Sequence, residues 1–552
     1  MKISLLDCSR NIRMGKKKQT SELKTIPIPL QVQRYKDITT LRAGAKTYWN
    51  VDHLQPFFPP IETLFKTDEL ENVQEYGLKF DDQIQSILSK DTIQTLTGPK
   101  KVHTKATMLL SPFKWMRGDY STSLGLATSQ EQSSTIHHKL QSQHNAAYVG
   151  SLFSAVFSQS KCIHFPKVYG VFSGISRHHT LNISDDYEDL MEKSWFSQNI
   201  GQTFELKLND SLKSSIFQHT RSARNEMTLG DDIILEDIPE MNGINADDVI
   251  MGDMNQIFTS TEEPSDNQSD SSSVSTSYIF DVKSCDCSVK EDTDEEDEET
   301  DGFAWATFAN VPVQYTIMET CEGTFHKLLT ENKDTHKHIA WITQVIFALL
   351  FAQKTFGYVH NDLHSNNVMY VSTDKEYLYY KVGNTSYKVQ TYGYIIKIID
   401  FERGTGSVRV SNMKDPKLFI SDHFAINEEA GGQYNTEPFY LQKYPIIKPN
   451  PSFDLVRLAT SLFWDLFPNG PEYPEYETNI VFKLLIKWMK VDNKSILFAE
   501  GNPKHERYHG FHLYKAITRF CKETAVPRKE LETSQFQVSS IPINEQFLLI
   551  DI

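Results

Sequence analysis

The sequence contains few cysteines, and apart from Cys285 and Cys287 they lie far apart. The six are Cys8, Cys162, Cys285, Cys287, Cys321 and Cys521. This scatter excludes a disulfide framework and a Cys-x-x-Cys zinc site, because both need closely and regularly spaced thiols. Such sparse use of cysteine fits a reducing compartment best. We therefore expect an intracellular, cytoplasmic protein.

The chain also lacks net positive charge and long apolar runs. Its formal charge is −16, and nine of the eleven residues at 291–301 are acidic. Nucleic-acid-binding domains need a basic surface, so no nucleic-acid partner is expected. The longest apolar stretch, at 339–356, is interrupted by Gln344, Gln353 and Lys354. It predicts a buried helix rather than a membrane span. The N-terminus shows no sustained apolar segment of the kind found in signal peptides.

Two further absences fall in the first third of the chain. Gly98 is the only glycine in residues 95–102, so no glycine-rich loop is evident there. No Asp or Glu occurs from 132 through 181. This acid-free stretch contains a predicted helix at 136–158, with Gly150 inside it.

Two short polar segments stand out in the second half of the chain. His360, Asp362 and Asn367 form a His-x-Asp-x-x-x-x-Asn loop, and Asp400 opens an Asp-Phe-Glu sequence. Phosphoryl transfer needs a carboxylate near the accepting hydroxyl and oxygen ligands that hold Mg²⁺. Asp362 can be the first, and Asn367 and Asp400 can be the second, because Mg²⁺ prefers hard oxygen donors.

The same loop has a simpler alternative. On a helix His360 and His364 would be neighbours that could share a metal ion. However, the Glu that follows the first His in a zinc-protease helix is missing. The apolar runs at 368–370 and 394–399 instead predict two buried strands, which would deliver the polar residues to one site.

Together the two motifs resemble those of the protein-kinase-like superfamily. The resemblance implies an α+β fold with two lobes, a β-rich N-lobe and a helical C-lobe, and it implies ATP and Mg²⁺ as cofactors. His360, Asp362 and Asn367 would form the catalytic loop, and Asn367 and Asp400 would hold metal. Asp454, at the start of a helical pattern, matches the residue that begins the central C-lobe helix in kinases.

The resemblance also divides the chain into parts. These are a flexible basic arm (1–24), an N-terminal extension (25–90), an N-lobe (91–320), a helical C-lobe (321–524) and a C-terminal tail (525–552). The N-lobe would carry an insertion at 175–310. Within it, residues 261–301 have too few large apolar groups to offset the entropy of ordering, which predicts disorder.

The resemblance further implies where a nucleotide would bind. Residues 317–329 match the hinge, which places Glu319 and Cys321 at the adenine edge and Met318 at the back of the pocket. We assign the phosphate contact to Lys105, with Lys114 as the alternative. Lys105 lies in an extended apolar segment, where an ammonium is costly unless it faces a ligand or an acid.

Several positions depart from the usual protein-kinase pattern. Asn361 replaces an Arg that would bind an activation-loop phosphate, so control by that route is not expected. His364 replaces a Lys, and Glu402 replaces the Gly after Asp-Phe. The sequence Asp-Leu-His at 362–364 resembles that of haspin-related kinases and of choline and aminoglycoside kinases. The sequence Asp-Phe-Glu at 400–402 resembles that of the choline and aminoglycoside kinases.

The first third is also similar to kinase-like proteins of large nucleocytoplasmic DNA viruses, at residues 105–112 and 145–150. Gly150 stands where the acid partner of the phosphate-binding Lys is expected. Without that acid we expect slow turnover.

The first functional hypothesis is therefore an atypical, viral Ser/Thr protein kinase that uses ATP and Mg²⁺ and acts on unknown protein substrates. Two alternatives stay open. One is a pseudokinase that serves as a scaffold for partner proteins. The other is a small-molecule kinase of the choline or aminoglycoside type, which the sequence Asp-Leu-His at 362–364 supports.

Overall fold

The computed structural model describes residues 27–65, 67, 70–120, 125–128, 135–160, 162–184, 186–209, 303–508 and 510–550. The arm at 1–24, the acidic segment at 261–301 and most of the predicted insertion lie outside the described residues. The described part is a mixed α/β structure whose N-terminal region is rich in strands.

The elements are numbered along the described chain. The strands are β1 Val32–Arg34, β2 Val51–Gln55, β3 Tyr76–Leu78, β4 Ile84–Ile87, β5 Thr92–Thr95, β6 Gly98–Met108, β7 Val168–Asn182, β8 Glu205–Leu208, β9 Ala304–Glu319, β10 Gly323–Thr324, β11 Val368–Ser372, β12 Tyr377–Val382, β13 Thr385–Gln390, β14 Tyr394–Ile398, β15 Thr405–Val408, β16 Lys417–Ile420, β17 Lys490–Val491, β18 Lys494–Ser495, β19 Phe498–Ala499, β20 Asn502–Glu506, β21 Gln537–Val538 and β22 Phe547–Ile550. The α-helices are α1 Thr39–Tyr48, α2 Pro60–Leu64, α3 Pro112–Arg117, α4 Thr135–Gln141, α5 Ala146–Gln159, α6 Tyr187–Met191, α7 Ser194–Asn199, α8 Phe325–Glu331, α9 Thr335–Phe356, α10 Phe453–Leu466, α11 Ile480–Trp488, α12 Phe511–Phe520 and α13 Pro527–Glu532. Short 3₁₀ turns lie at Val73–Glu75, Ser365–Asn367, Asp422–Phe424 and Pro474–Thr478.

The main sheet is antiparallel and has the order β2-β7-β9-β6-β5-β4, with β8 paired to β9 beside this path. Strand β9 is central, because it pairs with β6 on one side and with β7 on the other. Its residues from 311 through 318 are all buried. A continuous buried run of this kind is expected for a strand that is covered on both faces.

Two predicted boundaries look different in the structure. Strand β7 runs through Asn182, which pairs with Trp305 at the start of β9. The sheet therefore includes residues at both ends of the predicted insertion, and β8, which lies inside the insertion, also pairs with β9. The expected division between 90 and 91 falls inside the hairpin β4–β5, so the sheet begins within the predicted N-terminal extension.

The helix predicted at 136–158 is two helices, α4 and α5. Asn145 separates them, because its side chain accepts a hydrogen bond from the N–H of Ala147 and so caps α5. Asn competes with helical backbone bonding in this way, which favours a cap over a continuous helix. Residues 146–157 of α5 are buried on all sides, and the helix packs on β7 and β9.

The long apolar helix α9 agrees closely with its prediction. The side chain of Asp334 caps its start, and Gly357, with φ of 58°, ends it in the left-handed conformation. Glycine adopts this conformation without strain. Among the described helices, α9 is the one that is long and apolar enough to cross a membrane, and 83% of its most apolar window is buried within the protein. That burial is what a core helix requires.

The second half contains more strands than the sequence indicated. Strands β10, β11 and β14 form one sheet, and β21, β13, β12 and β22 form another. The segment at 525–552, expected to be a tail, therefore contributes helix α13 and two strands. Strand β22 pairs in parallel with β12, which lies more than 160 residues away in sequence. Local patterns in β22 could not reveal such a distant partner.

Candidate active site

The loop at 359–367 is anchored by a buried carboxylate. Asp454, in the first turn of α10, accepts hydrogen bonds of 3.0 Å from the backbone N–H groups of His360 and Asn361. Asn361 has φ of 66°, in the left-handed region that Asn tolerates better than most residues. Its side chain donates to the carbonyl of Arg403 at 2.8 Å and accepts from the hydroxyl of Tyr434. The loop is thus fixed on several sides.

We expect Asp454→Ala to destabilise the protein. The substitution leaves two buried backbone N–H groups without an acceptor, and each costs about 1–3 kcal/mol. Urea denaturation of the variant and of the wild type would measure the loss. Asp415→Ala, at an exposed position outside this network, is the control. An unchanged midpoint for Asp454→Ala would contradict the anchoring role.

His360 is fully buried and links the two polar motifs. Its Nδ1 accepts from the N–H of Asp362, so its Nε2 donates to the carbonyl of Ile399 at 2.8 Å. Both ring nitrogens are engaged in these hydrogen bonds, an arrangement that favours a positioning role for His360 over the catalytic role that the resemblance implied. Residues 360–364 are not helical, and His364 caps a 3₁₀ turn instead. The geometry needed for a shared metal at His360 and His364 is therefore absent from this loop.

Asp362 is the carboxylate of the loop at 359–367. Its Oδ1 accepts a 2.6 Å hydrogen bond from the hydroxyl of Tyr514, and its Oδ2 lies 3.6 Å from the guanidinium of Arg403. Burial by itself would raise the pKa of Asp362, but Arg403, His364 and Arg457 hold it below the ordinary value of a carboxyl group. Asp362 is therefore ionised and acts only as a hydrogen-bond acceptor.

The neighbouring antiparallel strands β11 and β14 bring Asn367 and Asp400 to the same edge of their sheet. Asn367 directly precedes β11, and Asp400 follows β14, while Val368 and Ile398 pair across these strands. The N–H of Ile399 donates to the carbonyl of Asn367 at 3.0 Å. The side-chain amide of Asn367 donates to the carbonyl of Asp362, so its side-chain oxygen is the atom that can bind a cation.

Lys105 reaches the same place from the main sheet. It lies on β6 opposite Thr316, and its Nζ is 2.7 Å from Asp400 Oδ1 and 2.7 Å from Glu402 Oε1. Burial by itself would lower the pKa of Lys105, but Asp400 and Glu402 raise it, so the ammonium is charged. Burial would likewise raise the pKa of Asp400, and Lys105 lowers it.

The alternative lysine lies elsewhere. Lys114 is in helix α3, and its Nζ is 2.8 Å from Glu428. Lys139 shares the same carboxylate at 3.0 Å. This charged cluster joins α3 and α4 to the chain after β16. The structure therefore brings Lys105, and not Lys114, to Asp400.

The predicted hinge residues end strand β9. Met318 lies between His103 of β6 and Val168 of β7, and it is buried. The N–H of Glu319 donates to the carbonyl of Lys167 at 2.8 Å, so its carbonyl is the main-chain group of Glu319 that a base could meet.

Two side chains at the predicted hinge, those of Glu319 and Cys321, have distinct electrostatic environments. The Glu319 carboxylate pairs with Lys397, a buried residue of β14 just before the Asp400 turn. Burial raises the pKa of the Cys321 thiol to about 12, so this thiol is not ionised near neutral pH.

Gly98, the single glycine of residues 95–102, begins β6 with φ of 128°, directly after the turn at 96–97 that joins β5 to β6. The preceding hairpin turns at residues 88–91, which contain no glycine. The indole N–H of Trp49 donates to the carbonyl of Lys90 and holds this turn against the N-terminal extension.

Sequence reasoning missed the contribution of four residues to the site, which are Arg403, beside Asp362, and Tyr514, Arg457 and Glu402. Tyr514 contacts Asp362 from α12, and Arg457 lies over the Tyr514 ring at 4.9 Å. No local motif marks either residue, because both come from helices far along the chain. Glu402 was noted only as a departure from a glycine. The acid-free stretch around Gly150 was the signal that could have identified its role.

Comparison with known proteins gives limited support for a kinase-like relation. No protein-family model matches the chain. A probable serine/threonine-protein kinase of Dictyostelium discoideum is 44% identical over 64 residues. The match covers 10% of this chain and 5% of that protein, so the chain spans a small part of the relative's length. The match gives no support to a viral or haspin-like relation. It supports similarity to a kinase over one short segment.

Proposed function

We propose that the protein transfers the terminal phosphoryl group of ATP to Ser/Thr hydroxyls of proteins, with Mg²⁺ as cofactor. The observation that carries this proposal is the convergence of Lys105, Asp362, Asn367 and Asp400, which three separate parts of the chain supply. An ionised carboxylate, two oxygen donors and a buried ammonium are the groups that phosphoryl transfer requires.

Each residue has a role that its position supports. Asp362 orients the accepting hydroxyl and takes its proton, since it is ionised and accepts hydrogen bonds. Asn367 and Asp400 hold Mg²⁺, which would neutralise charge on the phosphates. Lys105 contacts phosphate. The main-chain carbonyl of Glu319 and the backbone at Cys321 border the adenine base of the nucleotide.

The arrangement of elements favours a two-lobed kinase-like fold. The antiparallel sheet with α5 would form the N-lobe, and α9 and α10 would form the centre of the C-lobe. Strand β9 leads from the sheet through residues 320–324 to α8, which is where a hinge would lie. The 44% identical segment of the Dictyostelium protein agrees with a serine/threonine kinase rather than a small-molecule kinase.

A pseudokinase is the second candidate, and specific contacts favour it. The Tyr514 hydroxyl donates a hydrogen bond to one oxygen of Asp362, and Lys105 donates a hydrogen bond to Asp400. The turn at 88–91 lacks the glycines that let a backbone approach phosphates closely. Such a protein would keep the fold for binding partners and transfer nothing.

Wild-type protein should bind Mg·ATP and transfer phosphate. Ligand at about 100 times its Kd stabilises a protein by roughly 2.7 kcal/mol, which a thermal-shift titration detects readily. Transfer would be measured with radiolabelled ATP on a lysate, on the protein itself and on choline and aminoglycosides. Labelling of protein supports the proposal. Labelling of a small molecule alone selects the small-molecule kinase, and binding without any transfer selects the pseudokinase.

A further inference from the structure

Glu402 and Gly150 are two departures from the pattern of kinases, and they meet in space. We propose that Glu402 is the acid that positions Lys105, and that Gly150 is the complementary change that makes room for it. This inference rests on the proposed function, because it assigns a task to Lys105. It gives Glu402 the part that an acid in helix α5 would otherwise play.

The contacts of Glu402 point to this role. Its Oε1 lies 2.7 Å from Lys105 Nζ and accepts a 2.5 Å hydrogen bond from the hydroxyl of Thr107. Lys105 and Thr107 are two positions apart on β6 and therefore share one face of the strand. The Glu402 side chain is 8% exposed. A buried carboxylate with two partners in this geometry holds the lysine in one orientation.

Gly150 supplies the second observation, which is independent of charge. A Cβ atom on Gly150 would lie 2.7 Å from Glu402 Cγ, closer than real Cβ contacts come. No side chain at position 150 can therefore coexist with Glu402 as it stands. Glycine is disfavoured in the interior of a helix, so a specific contact must explain it here. The contact is Glu402, which lies between α5 and β6.

Two carboxylates at one lysine have different tasks. Asp400 is 25% exposed and can turn toward a metal ion, whereas Glu402 is enclosed by β6 and α5. When Asp400 engages Mg²⁺, Lys105 keeps Glu402 as a partner and stays aimed at the phosphates. The acid expected in α5 is therefore replaced and not lost. The reason for expecting slow turnover, an unrestrained Lys105, no longer holds.

The first test exchanges the two positions. Glu402→Gln should weaken Mg·ATP binding by about tenfold, which corresponds to 1.4 kcal/mol, and should lower kcat as well. Glu402→Gly with Gly150→Glu places the carboxylate on α5 and should recover most of the loss. Glu477→Gln, an exposed carboxylate in a 3₁₀ turn, is the matched control. If Glu402→Gln binds and turns over Mg·ATP like the wild type, the positioning role is wrong.

The second test needs no nucleotide. Gly150→Ala should lower the Tm of the wild-type chain because its Cβ meets Glu402 Cγ. In the Glu402→Ala background, where that carbon is gone, Gly150→Ala should leave the Tm equal or higher. Additive effects in this cycle would overturn the complementarity of the two positions. If the wild type binds no Mg·ATP, the proposed function fails, while this cycle still decides whether the two residues are matched.

Discussion

Asp400→Asn should abolish Mg²⁺-dependent nucleotide binding and transfer in a protein that remains folded. The substitution keeps the size of the side chain and removes the charge that holds the metal. We expect a loss of transfer on the order of 10²–10³-fold or more, as for removal of a group that stabilises charge in a transition state. Titration calorimetry with ATP, in the presence and absence of Mg²⁺, would measure the binding part.

The structure explains why this variant should fold. Lys105 retains Glu402 as a partner at 2.7 Å, so its ammonium is not left alone in the interior. Asp415→Asn makes the same chemical change at an exposed position of the following segment and is the matched control. Mg²⁺-dependent binding by Asp400→Asn at wild-type affinity would show that Asp400 is not a metal ligand.

Asp362→Asn should separate binding from chemistry. Asp362 contacts Tyr514 and Arg403 and is assigned to the hydroxyl, so Mg·ATP affinity should remain close to that of the wild type. Transfer should fall by about 10²–10⁴-fold, the usual contribution of a general base. Kinetics with saturating ATP would then show a lower kcat with little change in the KM for ATP.

The pH dependence provides a further check on Asp362. Burial would raise its pKa, but Arg403, His364 and Arg457 hold it below the ordinary value. The carboxylate therefore stays ionised as the pH falls to the ordinary range of an Asp, near 3.9, and Asp362 should not limit kcat above that pH.

The control for Asp362→Asn is Asp374→Asn, at an exposed Asp after β11. An Asp362→Asn variant with wild-type kcat would eliminate Asp362 as the base.

The sequence by itself determined the local parts of this protein. The polar loop at 360–367, the strand that follows it and the strand that leads to Asp400 can be predicted from patterns a few residues long. Helix α9 could be predicted because its apolar run and its Gly357 end are local signals. The two strands also implied that Asn367 and Asp400 would meet, because polar residues at the ends of paired strands share an edge.

Only the tertiary structure decided which distant residues complete the site. Lys105 and Glu402 are almost 300 residues apart, and nothing near either one specifies the other. The absence of an acid around Gly150 indicated a lost ion pair, whereas the packing of α5 against Glu402 supports our proposal that Glu402 takes the place of that acid. Tyr514 reaches Asp362 from a helix that no motif marks. Such contacts depend on how elements pack, and a linear pattern reports only what each element does alone.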